Sequence, residues 1–222
     1  MKVQVNWLKE YTEIDVPTDE LGHVLTMAGL EIESHETVDL PDGEKSEVLE
    51  LNVTPNRGYC LSHIGVAREV SALLKKSLKL SDPMKTLSTE SGTVDIEDRL
   101  SVENLEPELC PRYCALVIEN IKVGPSPKWL KDRLFAIGLR PINNIVDITN
   151  FVMMEYGQPL HAFDRDLLTG NKIVIRRAKK GELFSSLDGT ELKLEQDSLV
   201  IADGDKPVAL AGIMGGTNSQ VS

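Results

Sequence analysis

The run INNIVDITNFVMMEYGQPLHAFD, residues 142–164, constrains the chain most: it has the period of an amphipathic helix and then breaks into a polar loop set by a proline. Ile142, Ile145, Val146, Val152, Met153 and Tyr156 recur at helical spacing and predict one buried stripe that includes Thr149, with Asn143, Asn144, Asp147 and Asn150 largely opposite. Gly157 can supply the left-handed residue that stops a helix. Pro159 fixes the backbone before Leu160 and His161, so a constrained loop presents the imidazole. On residue types alone, a core helix followed by a turn, with His161 merely hydrogen-bonded, is the weightier reading, and a histidine-bearing pocket is the sharper one.

Elsewhere the pattern predicts an α+β fold in two small mixed units. Strands are expected at Lys2–Val5, Leu30–Val38 and Val48–Val53, a helix capped by Thr18 runs through Ala28 to stop at Gly29, and a further helix covers Leu61–Lys76. The composition break LSDPMKTLSTESG places a linker at 81–92 between a domain at 1–80 and another at 93–222. In the second domain the pattern predicts a strand at Tyr113–Ile121 and a helix capped by Ser126-Pro127 that ends near Gly138. Strands follow at Lys172–Arg177 and Leu199–Ala202, and Asp188-Gly189 marks a hairpin. The stretch ALAGIMGG, residues 209–216, lets backbone approach a ligand, or is simply a tight turn. It has neither the GxGxxG spacing nor the lysine of a nucleotide loop.

Composition narrows the function classes. The chain of 222 residues is long enough for a sizeable core, and charges interrupt every apolar run in MKVQVNWLKEY, which excludes a secretory signal and points to the cytoplasm. Cys60, Cys110 and Cys114 read as thiols; the C-x3-C pair has no partner cluster for a metal. Asn52-Val53-Thr54 fits a sequon, incidental without a signal. Net charge −11 argues against broad affinity for nucleic acid, yet residues 122–180 hold eleven Lys or Arg against five Asp or Glu. Lys128, Lys131, Arg133, Arg140 and the run from Arg176 to Lys180 could meet RNA phosphate, although a solvated face is the commoner origin of such a run.

From Cys110 onward, CPRYCALVIENIKVGPSPKWLKDRLFAIGLRPINNIVDITNFV, YGQPLHAFD and ALAGIMGG resemble the editing domain of bacterial phenylalanyl-tRNA synthetase beta subunits. MKVQVNWLKEY, LTMAGLEIE and LNVTPNRGYCLSHIGVAREVSALL resemble the amino-terminal domain of the same subunit. Two departures stand out. Only about Pro41 to Lys45 separates pieces between which the family usually inserts an OB domain, and family members continue well beyond the counterpart of Ser222.

The resemblance implies hydrolysis of mischarged Tyr-tRNA(Phe), with His161 and Thr149 as catalytic residues and Arg140, Asn150, Ala211 and Gly212 as substrate-binding ones. The chemistry is sound. An apolar pocket rejects an isostere bearing an extra hydroxyl by only about 10²-fold, so a second site that hydrogen-bonds the tyrosine hydroxyl is needed. His161 would orient or deprotonate water or bond the terminal ribose, Ala211 would stay small to admit the ring, and the Gly212 amide would contact its hydroxyl. Positioned water and oxyanion stabilisation suffice for an activated ester, without a triad or metal. A family glutamate that reads the hydroxyl falls just beyond Ser222, so poor hydrolysis by the 222 residues alone is expected. The resemblance also implies an alpha-subunit partner, tRNA(Phe) and a heterotetramer of two alpha and two beta subunits. No cofactor is expected in this chain; ATP and Mg belong to the complete synthetase. A free-standing trans-editing hydrolase and a noncatalytic tRNA or protein docking module remain the alternatives.

Overall fold

The computed structural model describes residues 1–85 and 99–221. Residues 86–92 of the expected linker, and Ser222, lie outside the described residues. Helices and strands mix in the α+β manner, and the chain forms two compact units, each made of two chain segments. The first comprises Met1–Ser88 and Gly124–Leu160, the second Thr89–Val123 and His161–Ser222.

The division in space thus differs from a contiguous cut at 81–92. The reason lies in side chains. Ile137 is buried in the core of the first unit, and Leu139, Phe151 and Met154 pack against it, so the segment from Gly124 to Leu160 completes that core.

In the first unit, β1 (Lys2–Gln4) leads into a short helix α1 (Val5–Leu8), α2 (Thr18–Met27), β2 (Glu31–Asp39), β3 (Lys45–Asn52) and α3 (His63–Leu74). The sheet order is β1-β3-β2, antiparallel throughout. Val48, Leu49 and Leu51 of the central strand are buried with Val3, Trp7, Leu21, Leu25 and Val70. The β2–β3 hairpin closes through Gly43 at φ 86°, with Leu40 N–H donating to the Glu44 carbonyl at 2.8 Å. Helix α2 begins at Thr18 itself, after Pro17, and has no side-chain cap; Gly29 ends the turn at φ 87°. Ser62, by contrast, caps α3 by accepting the Gly65 N–H at 3.0 Å.

His63 is wholly buried at the centre of this unit. Its Nε2 accepts the Gln4 N–H at 3.2 Å and its Nδ1 donates to the Met154 carbonyl at 2.9 Å, which defines one neutral tautomer. Burial lowers its pKa to about 3. Trp7 stacks on it at 3.8 Å between centroids and on Phe151 at 4.7 Å, while the Arg133 guanidinium lies 5.3 Å from the Trp7 ring.

The second unit contains a strand β4 (Ser101–Asn104). Helices α4 (Lys128–Ala136) and α5 (Asn144–Tyr156) of the first unit follow in sequence. The chain then returns to the second unit as β5 (Lys172–Arg177), β6 (Glu182–Ser185), β7 (Glu191–Leu194), β8 (Leu199–Ala202), β9 (Pro207–Leu210) and β10 (Met214–Gly215). The larger sheet has order β10-β9-β8-β5-β4, with β4 parallel to β5 and the other pairs antiparallel; β6 and β7 form the expected hairpin around Gly189. Ile173, Ile175 and Val208 belong to one buried cluster of this unit and Val174, Val200 and Ala202 to another. Asp203 organises the β8–β9 turn by accepting backbone N–H groups from Thr169, Asp205 and Lys206 at 2.7–3.0 Å.

Besides the Thr18 cap, two local expectations fail. Tyr113–Ile121 is irregular, and β4 takes the place beside β5, whose two edges are then filled by β4 and β8. Leu116 and Ile118 are left exposed, so tertiary pairing overrides β-propensity. Ser126 does not cap α4, because its hydroxyl donates to Asp147 at 2.5 Å.

Candidate functional site around His161

Helix α5 ends as its sequence suggests. Asn143 caps its start by accepting the Ile145 and Val146 N–H groups, and Gly157 closes it at φ 80°. Its burial is different. Ile142 precedes the helix and is 67% exposed, and Tyr156 is 46% exposed, so the predicted stripe is only half-buried. The one wholly buried residue of α5 is Asp147, whose carboxylate accepts Ser126 Oγ and the Ile142 N–H at 2.8 Å. It thereby ties the segment before α4 and the segment before α5 to one helix.

The sequence-derived residues divide between the units. Arg140, exposed, and Thr149 and Asn150, half-buried, belong to the first. The Thr149 hydroxyl donates to the Val146 carbonyl at 2.7 Å, leaving its lone pairs to accept. His161, Ala211 and Gly212 belong to the second unit.

Around His161 two separated motifs come together. The imidazole lies directly over Gly215: a Cβ built there would stand 2.2 Å from His161 Cε1 and 2.7 Å from Nε2, with Leu187 Cδ1 at 3.0 Å. Phe163 meets the imidazole edge to face at 4.5 Å between centroids. Three residues beyond the histidine, the Asp164 N–H donates to the Ser219 carbonyl at 3.0 Å, and Leu187 N–H donates to the Gly215 carbonyl at 2.9 Å. The loop PLHAFD is therefore fastened to IMGG and its following turn.

Although His161 is exposed as a residue, this packing desolvates its ring and lowers its pKa. Neither ring nitrogen has a hydrogen-bond partner among the described residues. A neutral imidazole in this state offers one donor and one acceptor to a ligand.

Ala211-Gly212-Ile213 forms the turn between β9 and β10. The Ala211 N–H is spent on the Leu199 carbonyl and that of Ile213 on Leu210, whereas the Gly212 amide, at φ 72°, has no partner among the described residues. Ala211 lines an open groove of about 480 Å³ with Leu192, Leu199, Leu210 and Ile213 as apolar walls. Sequence reasoning singled out the histidine and the turn but missed Gly215, Phe163 and Leu187, which hold the ring. The paired glycines of IMGG were the available signal.

The basic run Arg176–Lys180 is largely committed internally. Arg176 makes a bidentate pair with Glu182 at 2.7 and 2.8 Å, Arg177 pairs with Glu106 at 3.3 Å, and Lys179 and Lys180 project into solvent. Among the described residues no three His, Cys, Asp or Glu side chains are arranged to hold a metal, and no helix is long and apolar enough to cross a membrane.

The beta subunit of phenylalanine–tRNA ligase from Carboxydothermus hydrogenoformans is 53% identical over 191 residues, covering 82% of this chain and 23% of its own. That of Rhodopirellula baltica is 44% identical over 222 residues, covering all of this chain and 31% of its own. The chain thus spans about a quarter to a third of the length of these relatives. An amino-terminal fragment of the phenylalanyl-tRNA synthetase beta subunit from Pyrococcus horikoshii has the same fold, with a TM-score of 0.50 at 14% identity over the whole chain and 64% of the fragment. The model of the B3/4 domain matches residues 109–222, a span that contains His161, Ala211 and Gly212, and the chain belongs to the B3/4 domain family.

Proposed function

We propose that the chain forms part of a phenylalanine–tRNA ligase beta subunit and carries the site that hydrolyses Tyr-tRNA(Phe). The observation that carries this reading is the neutral imidazole of His161, seated on Gly215 with both nitrogens uncommitted, in the hairpin whose turn holds Ala211 and the free Gly212 amide. In the proposed reaction a water attacks the ester carbonyl while His161 takes its proton, and the terminal ribose oxygen leaves with a proton, yielding free tyrosine and tRNA. Ala211 admits the ring because it is small. The Gly212 amide donates to the tyrosine hydroxyl, a group phenylalanine lacks, so the correct product would strand a polar partner. Arg140, Thr149 and Asn150 retain the roles the resemblance gives them, Thr149 as an acceptor for water or ester and the other two as substrate contacts.

The remaining parts of the proposal are an alpha-subunit partner, a two-alpha, two-beta assembly, and ATP and Mg for aminoacylation carried by other parts of that enzyme. This chain has no glycine loop that would cradle phosphate. Deacylation of Tyr-tRNA(Phe) and Phe-tRNA(Phe) by the assembled enzyme tests the reading: His161→Ala should abolish selective release of tyrosine and leave aminoacylation intact, and an unchanged rate would refute it.

A further inference from the structure

We infer that the first unit carries a second binding site, for a nucleotide presented as a planar base and a phosphate, in a cleft whose lining lies outside the B3/4 match except for Tyr156. The cleft measures about 320 Å³, within the roughly 300–1,000 Å³ of small-ligand sites, and three tyrosines line it: Tyr11, Tyr59 and Tyr156. Ser62, Arg68 and the stretch Leu80–Pro83 complete its walls. Tyr59 and Tyr156 are 47% and 46% exposed, so each presents aromatic surface to solvent instead of to the core.

Two observations select the ligand chemistry. First, the hydroxyls of Tyr11 and Tyr59 are already spent: Tyr11 donates to Glu155, and Tyr59 to Glu69 at 2.8 Å. A proline-rich peptide groove needs free donors beside its aromatic rings to meet peptide carbonyls. Tyr11 is buried, whereas Tyr59 and Tyr156 keep exposed rings, and stacking on a base uses ring faces. Second, Arg68 is exposed at the cleft and makes no ion pair or side-chain hydrogen bond among the described residues, unlike neighbouring Arg57, which pairs with Glu69 at 3.2 Å. Lys79 and Lys85 flank the Leu80–Pro83 stretch in sequence, and the Lys79 N–H donates to the Tyr11 carbonyl at 2.7 Å. The cleft thus sets one uncommitted guanidinium, Arg68, and one carboxylate, Asp82, beside two exposed aromatic rings, and the guanidinium with those rings suits one unpaired nucleotide of RNA or a free nucleotide.

The test uses the 222-residue chain, a fluorescein-labelled six-nucleotide single-stranded RNA followed by anisotropy at low salt, and AMP followed by calorimetry. Tyr156→Ala should weaken RNA binding by about 5- to 150-fold, the factor that corresponds to 1–3 kcal/mol of stacking per base. Arg68→Gln, which disturbs no internal contact, should weaken it and reduce the salt slope by about one. Comparable AMP and RNA affinities identify a mononucleotide site, and RNA binding alone identifies a strand site; either supports the inference. RNA affinity unchanged in both variants overturns it, as does displacement of the labelled RNA by a polyproline peptide that binds Arg68→Gln and the unsubstituted chain equally.

Discussion

Gly215→Ala isolates the contact on which the His161 site rests. The added Cβ would lie 2.2 Å from Cε1 and 2.7 Å from Nε2, against an ordinary contact of about 3.5–4.0 Å, so the ring must retreat by about 1.3 Å or more. Gly215 is absent from the positive-φ positions, so alanine adds no backbone strain and the effect is one of collision. Because the obstacle is the end of a side chain, the stability cost should stay near the low end of the roughly 1–3 kcal/mol of overpacking. The functional cost should be larger: displacement of a catalytic group by about 1 Å is worth about 10²-fold in rate. Displacement also rehydrates the ring, so its lowered pKa should climb toward 6.5. An NMR titration of the His161 Cε1 proton, paired with Tyr-tRNA(Phe) deacylation, reads both effects. Gly212→Ala is the control: its Cβ meets nothing within 4 Å, so it pays about 1–2 kcal/mol for φ 72° and leaves the His161 titration unmoved. If Gly215→Ala leaves the titration and the hydrolysis rate unaltered, the seating of the imidazole has no catalytic meaning.

Three further expectations follow from burial and pairing. The unfolded chain protonates His63 below pH 6.5 whereas the folded one resists to about 3, so the stabilisation present above 6.5 is lost at up to about 1.4 kcal/mol per pH unit as pH falls through that window. His35, whose pKa Glu47 and Asp19 raise, loses its contribution only as pH rises, so urea unfolding between pH 6.5 and 5, read by Trp7 and Trp129, should flatten in His63→Gln; an equal slope in both proteins would contradict this. Asp147→Ala leaves Ser126 Oγ and the Ile142 N–H unpaired and should cost about 2–4 kcal/mol by the same unfolding measurement, with Asp147→Asn in between. Arg176→Glu should destabilise the second unit by about 2 kcal/mol through its Glu182 pair, whereas Lys179→Glu with Lys180→Glu should leave the melting temperature unchanged and weaken tRNA binding only if that turn meets phosphate, which a filter-binding comparison decides.

Local signals were legible where one residue type had one physical job. Gly157 and Gly29 stop helices, Gly189 turns a hairpin, and Lys172–Arg177 and Leu199–Ala202 alternate as strands do. Signals that depend on a distant partner were not. Asp147 looks like a solvent-facing acid of an amphipathic helix, and only Ser126 and Ile142 explain its burial. Tyr113–Ile121 has the composition of a strand, but β4 and β8 occupy both edges of β5. The motif match named His161, Ala211 and Gly212, yet the reason for Gly215 lies under a ring fifty-four residues earlier in the chain. The interleaving of the two units escaped for the same cause, since Phe151 and Met154 declare their core only by touching it.

Editing of tyrosine through His161 is tested most directly by single-turnover deacylation in the enzyme assembled from a full-length beta subunit and an alpha subunit. Tyr-tRNA(Phe) should be hydrolysed far faster than Phe-tRNA(Phe). His161→Ala and Ala211→Trp should each suppress that difference, the first by loss of the proton acceptor and the second by filling the groove beside Leu199 and Ile213. Selective hydrolysis that persists at the original rate in both variants would contradict the account.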